Sequence, residues 1–460
     1  MLRKTRVIAG FALLLLLLVA CGGGGGAAPT AEPLTTTIAA PEATSEAQTP
    51  ATGQGASGVA AGTVKLWFHS GRGEERDALN KILDNFRATN SGVTVDAVEL
   101  PEGSYNDQVQ AAAFANDLPC LLDFDGPFVY NYAWGGFLIP LDQYLTPEMK
   151  DDFLPSIIQQ GTFQDGKLYS LGQFDSGLAI WANKEQLDTA GVRIPTLDKP
   201  WTKDEFNQAL ASLQKVDGIE NALDLKMNYG RGEWFTYGFS PILQSFGGDL
   251  IDRSSYKSTD GVLNGSESVA AMEMVQGWFK DGYVNPQPPG DTAFVEGKSA
   301  LSWVGHWVAN QYMDELGDNL LLLPMPDFGK GPKTGMGSWN WGITSNCSNP
   351  DAAWKVLSFL VEPDQILVMT DANGAVPARK SALAKSKLYG PDGKLNLLVK
   401  QLEGGIAVPR PITPAYPAIT SAFQEAFDNI KNGADVKSEL DKAVKKIDQD
   451  IEDNQGYPIK

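Results

Sequence analysis

Cysteine and histidine are both scarce in this chain of 460 residues. The three cysteines stand at positions 21, 120 and 347, and the only histidines are His69 and His306. A metal centre or a catalytic triad needs a cluster of ligands or a nucleophile with its base, and no such grouping appears. No metal, cofactor or catalytic residue is therefore expected. Positive charge is also short, with 37 basic residues against 56 acidic ones and a net charge of −19. Three of those basic residues, Arg3, Lys4 and Arg6, open the chain, and without them the charge is −22. Such a surface repels nucleic acid and anionic lipid, so neither is expected as a partner. The apolar run from Val7 to Val19 is broken by Gly10 and is too short for a membrane span.

What is present begins with that segment. A charged start followed by an apolar run is the order of an export peptide. Leu18-Val19-Ala20-Cys21 closes it and resembles a bacterial lipobox, whose cysteine carries lipid after cleavage. Residues 22–60 are five glycines and then mainly Ala, Pro, Thr, Ser, Glu and Gln, too poor in large apolar side chains to offset chain entropy. They read as a disordered tether between an anchor and a globular body.

Apolar content of 43% is ample for real cores, and the length suggests about two to three domains. Order is expected from Thr63. Val64 to Phe68 reads as a strand, and Leu79, Ile82, Leu83 and Phe86 mark one face of a helix over 74–88. Val93 to Val98 is the next strand, Gln108 to Ala115 a small helix, and Cys120 to Phe124 a buried strand. This order argues for an α/β domain with a largely parallel sheet. Thr202 and Glu205 form a capping box for a further helix. Helices are expected over 239–246 and 266–280, after Asn349-Pro350, and along Leu440, Ala443, Val444, Ile447 and Ile451. Phe294 to Glu296 reads as a helix end closed by Gly297, Ala300 to Val304 as a strand, and Trp307 as an indole at its mouth, beside Gly305.

Several stretches, in order and at the right approximate spacing, resemble the family 1 extracellular solute-binding proteins, the sugar-binding subunits of ABC importers. Asp117-Leu118-Pro119 looks like the family's turn before a buried strand, although Cys120 stands where an acidic residue is usual. Gly136 to Leu141, Leu178 to Lys184, Phe294 to Trp307, Trp339 to Ile343 and Asn373 to Arg379 are similar to its later motifs. The resemblance runs from about residue 63 to the end. It is fairly specific for the family and poorly specific for the ligand.

The resemblance implies a two-lobed, type II periplasmic-binding fold with a ligand cleft and crossover hinge strands. It divides the chain into a signal peptide (1–20), a tether (21–60), a first lobe (61–172), a second lobe (173–341), a return to the first (342–378) and a helical segment in the second (379–460). It implies a lipid-anchored monomer on the outer face of the cytoplasmic membrane that delivers a carbohydrate to permease subunits. It also puts Cys120 and Cys347 in one lobe, where the exported setting permits a disulfide and buried free thiols are the alternative.

Sugars offer hydroxyls at their edges and C–H groups on their faces, so a site needs aromatic platforms and fixed polar groups. Core packing and ligand stacking are both open for the loop tryptophans Trp67, Trp339 and Trp341. Trp234 and Trp307 have flanks that resemble family binding loops, and Tyr416 lies among prolines in a comparable place. Asp125, Asp175, Glu233, Asn340 and Arg379 are the candidate polar partners, with turn capping or hinge support as their alternatives. His69 and His306 fall in candidate cleft loops as hydrogen-bonding groups. Two rival readings stand beside this one. A glycoside hydrolase needs two carboxylates about 5–10 Å apart across a sugar. A phosphate or peptide receptor would use an arginine or a glycine-rich nest at a helix start, for which Gly71-Arg72-Gly73 is a faint signal.

Overall fold

The computed structural model describes residues 62–337, 339–390 and 393–459. The export segment, Cys21 and the tether lie outside the described residues. In chain order the described strands are β1 (Gly62–His69), β2 (Val93–Leu100), β3 (Leu121–Asp125), β4 (Leu171–Gly172), β5 (Phe174–Asp175), β6 (Leu178–Asn183), β7 (Leu223–Asp224), β8 (Leu301–Gly305), β9 (Leu320–Leu323), β10 (Thr334–Met336), β11 (Trp339–Ile343), β12 (Val376–Pro377) and β13 (Ala407–Pro409).

They build one sheet per lobe. The first lobe has the order β2-β1-β3-β11-β4, with β1 parallel to β2 and β3, and β11 antiparallel to β3 and β4. Val64, Leu66 and Phe68 alternate into the core from β1, as a half-buried strand requires. Helix Gly73–Thr89 covers them with Leu79, Ile82, Leu83 and Phe86. The second sheet has the order β7-β8-β6-β9. Every residue of β6 and β8 is buried, which is why both segments read as continuous apolar runs rather than alternating ones. Helices Glu233–Phe246 and Ser266–Lys280 pack on this lobe together with the C-terminal pair Tyr416–Lys431 and Val436–Asp453.

Two small ladders lie where the chain crosses between the lobes. β5 pairs with β12 antiparallel, opposing Asp175 to Val376, and β10 pairs with β13 parallel. An aromatic cluster of Tyr105, Phe124, Phe128, Tyr132 and Tyr416 joins the first lobe to the start of the C-terminal helices. Cys120 and Cys347 are disulfide-bonded, tying the start of β3 to the loop after β11.

Three expectations are corrected here. Residues 293–297 form a turn rather than a helix end, although Gly297 does take the left-handed conformation, with φ 72°. All of Trp339–Ile343 belongs to the first sheet, so the return crossing precedes Trp339 rather than falling after 341. The segment after 378 is also shared: Ala382 lies in the first lobe's core, while Tyr389 and the last two helices lie in the second's.

Candidate ligand-binding site

The strand ends of the two lobes bring their polar residues to a common boundary. β1 ends at His69 and β3 at Asp125. His69 donates its backbone N–H to Asp123 at 3.2 Å, and its ring Nδ1 lies 2.6 Å from the Asp123 carboxylate. Burial by itself pulls the imidazole pKa down, but the charge and hydrogen bond of Asp123 overcome that and bring it up to about 9. His69 is therefore an imidazolium at neutral pH. Trp339, the first residue of β11, is half-buried and lies flat against it.

The second lobe contributes an aromatic row. Trp234, in the first turn of helix Glu233–Phe246, meets Tyr229 at 5.6 Å, Trp307 at 5.8 Å and Tyr237 at 6.4 Å between ring centroids. Trp307 is half-buried and donates its indole N–H to the Tyr229 hydroxyl at 3.0 Å. Its ring folds back over Gly305, where an added Cβ would come within 2.1 Å of the indole. Any side chain at 305 would push the Trp307 ring out of this pose. Trp234 is more enclosed, at 9% exposure, and donates to the backbone of Leu225, so it backs the row more than it faces a ligand.

An arginine that the sequence reading passed over joins the lobes. Arg410 follows β13 and is 4% exposed. Its guanidinium grips both carboxylate oxygens of Asp125, one at 2.8 Å, reaches Glu233 at 2.7 Å and lies 5.0 Å above the Tyr237 ring. Glu233 also accepts from the hydroxyls of Tyr416 and Thr420. Burial pushes the Glu233 carboxyl pKa up, against the pull of Arg410. Behind this group Asp175 is wholly buried and accepts from the backbone N–H groups of Ser176 and Gly337. Burial raises its pKa as well.

The predicted residues therefore divide. Asp125 and Glu233 meet on Arg410 with Tyr416 bonded to Glu233, Trp234 and Trp307 share one row, and His69 and Trp339 form one stack. Trp67 is partly buried against the aromatic cluster of the first lobe. Asn340 is 1% exposed on β11 and its amide nitrogen has no hydrogen-bond partner among the described residues. His306 is buried, donates Nδ1–H to the carbonyl of Asn373 at 2.8 Å, and has its pKa lowered to about 4 by burial. It braces the lobe junction, where Gly374 sits against the His306 carbonyl. Two expectations fail on geometry. Trp341 is 3% exposed in the core of the first lobe, with its N–H on Gln173. Arg379 is taken up by Asp152 at 2.7 Å and packs over Phe153, so it ties a crossing segment down.

Comparison with known proteins places this arrangement. The family model for the bacterial extracellular solute-binding protein matches residues 72–366, well over half of the chain. The chain belongs to this family. The maltodextrin-binding protein of Bacillus subtilis is 24% identical over 323 residues, covering 67% of this chain and 73% of that protein. The maltooligosaccharide ABC transporter solute-binding lipoprotein of Streptococcus pneumoniae is 23% identical over 314 residues, 66% of this chain and 70% of its own length. Among solved structures, the GacH receptor of Streptomyces glaucescens, described unliganded and with acarbose, superposes with a TM-score of 0.71 at 23% identity, covering 85% of this chain and 98% of that one. The maltose/maltodextrin-binding domain of Bdellovibrio bacteriovorus bound to maltotriose gives 0.71 at 20% identity, over 85% and 100%. These relatives are binding proteins, and the solute-binding family has the two-lobed type II fold seen here.

Proposed function

We propose that this solute-binding protein takes up a carbohydrate, in the first instance an oligosaccharide, between its lobes and hands it to an ABC permease. The observation that carries this reading is the bridge from Asp125 of the first lobe through Arg410 to Glu233 of the second, laid beside the half-buried indole of Trp307. Charge-paired carboxylates offer oriented acceptors to hydroxyls, and an indole face offers a surface to sugar C–H groups. Relatives named for maltodextrin and maltooligosaccharides support the same ligand class. Contacts to both lobes exist together only when the lobes approach, so ligand shifts an open–closed equilibrium.

The lipid anchor belongs to this proposal too. Cys21, at the end of an export peptide, holds a monomeric receptor at the outer face of the membrane, and the tether raises its effective concentration near the permease. A hydrolase reading gains no support, because the two carboxylates that converge, Asp125 and Glu233, are both held by Arg410. The phosphate reading loses its main signal, since Arg72 is already paired with Asp291.

A thermal-shift series with maltose, maltotriose, mannobiose, glycerol phosphate and a peptide pool tests the reading. A ligand that binds only the folded state raises the melting temperature with concentration. Stabilisation by one sugar class is expected. Stabilisation by glycerol phosphate or peptide alone would overturn the carbohydrate assignment.

A further inference from the structure

Among the described residues, Arg410 and Arg72 both connect the lobes, and they differ in how easily they can let go. Arg410 has a side chain only 3% exposed, so releasing it would strand buried charges. Arg72 is different. It stands in the loop between β1 and helix Gly73–Thr89, with a side chain 32% exposed. All of its side-chain partners belong to the second lobe. Its guanidinium meets Asp291 at 2.8 Å, the Tyr229 hydroxyl at 3.4 Å and the Gln311 side-chain oxygen at 3.3 Å.

The receiving side is built to survive its departure. Asp291 also meets the ammonium of Lys226 at 2.7 Å, and Lys226 in turn pairs with Asp224 at 2.8 Å. Lys226 is wholly buried between Asp224 and Asp291, so this cation stays with Asp291 whether or not Arg72 is present. When Arg72 leaves, Asp291 keeps a countercharge and the exposed guanidinium regains water. Neither lobe is left with an uncompensated buried ion, which is the condition for a contact that forms and breaks reversibly. The Tyr229 hydroxyl contacted by Arg72 is the one that accepts the Trp307 indole N–H. Closure by Arg72 and the pose of the aromatic platform thus share one atom.

We propose that Arg72 is a positioning residue: a reversible interlobe latch that sets the closed population and, through Tyr229, holds Trp307 in its binding pose. The inference rests on the closure reading above but not on the identity of the ligand. It implies that affinity for an uncharged sugar falls with rising salt, because a partly exposed ion pair is screened.

The test compares the purified chain with Arg72→Ala, Arg72→Lys and Tyr229→Phe. Small-angle scattering without ligand should show Arg72→Ala expanded relative to wild type at low salt, and the difference should shrink in about 1 M salt. Arg72→Lys, which keeps the charge, should stay nearer wild type. Maltotriose affinity should fall about two- to fivefold in Arg72→Ala, the range of a partly exposed pair acting through the closed fraction. Tyr229→Phe should keep the compaction and alter the Trp fluorescence change on binding. Equal compaction of wild type and Arg72→Ala at low salt would overturn the latch whatever the ligand. A scattering difference with no response to any sugar would leave the latch standing and overturn the carbohydrate assignment instead.

Discussion

The imidazole of His69 and the indole of Trp339 lie face to face, with ring centroids 3.4 Å apart and planes within 8°. Asp123 keeps the imidazole charged, so this is a cation held against an aromatic face, an arrangement that strengthens as water is excluded. It joins the end of β1 to the start of β11 on the first lobe's side of the cleft.

The chain has two histidines, which makes the charge state directly visible. His69 should titrate near 9 in a proton NMR series. Its folded pKa lies above the unfolded value of about 6.5. The stabilisation is therefore complete below about pH 6.5 and is lost as the pH climbs through 9, by roughly 3 kcal/mol in all. Urea unfolding at pH 6.5 and 9.5 should show that loss, and Asp123→Asn should abolish the slope. A ring titrating at its ordinary value would refute the ion pair.

His306 behaves in the opposite sense. Burial holds it neutral down to about pH 4. The unfolded chain gains a proton below about 6.5 that the folded chain refuses, so stability falls as the pH drops through that interval. The difference in unfolding free energy between wild type and His306→Asn should change across pH 6.5 to 4.5. A constant difference would mean that the ring is not kept neutral.

Trp307, just past β8, and Trp341, inside β11, should separate cleanly by phenotype. Trp307→Ala should weaken sugar binding by about 2 kcal/mol, the scale of one aromatic contact, with little loss of stability. Trp341→Ala, cut from the first core, should instead cost about 3–5 kcal/mol of stability. Calorimetry and thermal melts on the pair decide it; reversed phenotypes would exchange their roles.

Removing Arg410 leaves Asp125 and Glu233 without their shared cation. Arg410→Met should cost about 3–5 kcal/mol at pH 7, the penalty for stranding buried charge. The loss should be smaller at pH 5, because the Glu233 pKa is already raised by burial and the carboxyl then accepts a proton more readily. Adding Glu233→Gln to Arg410→Met should recover part of it. A pH-independent loss would argue against a buried carboxylate as its source.

The disulfide closes a stretch with a sequence separation of 227, which holds the whole second sheet. On chain entropy alone a loop of that length is worth up to about 5 kcal/mol. Cys120→Ser/Cys347→Ser should lower the melting temperature by several degrees, and reductant should reproduce the shift in the wild type. No shift in either case would show that the constraint does not reach the unfolded state.

Much of the architecture was legible along the chain. Leu79, Ile82, Leu83 and Phe86 declared their helix by spacing, and Thr202 with Glu205 declared the start of another, because both signals depend only on neighbours within a turn. The motifs from residue 63 onward identified the family. The Gly305 to Trp307 pair also announced itself, since a ring can fold onto backbone only where Cβ is missing.

Other features had no local signature. Trp339 and Trp341, two residues apart, share one face of β11, yet the fold sinks Trp341 into the first lobe's core and leaves Trp339, at the strand's start, half-buried against His69. Arg379 stood out only through the family motif that it ends, and Arg410 through nothing local. The fold gave one to Asp152 and the other to Asp125, 285 residues away in sequence. Lys226, Asp291 and Arg72 became one network only when the two lobes met. The chain by itself determined the elements, the family and the aromatic supply. Tertiary structure decided which charges pair across the lobes, because electrostatic partnership depends on distance in space, and sequence separation carries no information about it.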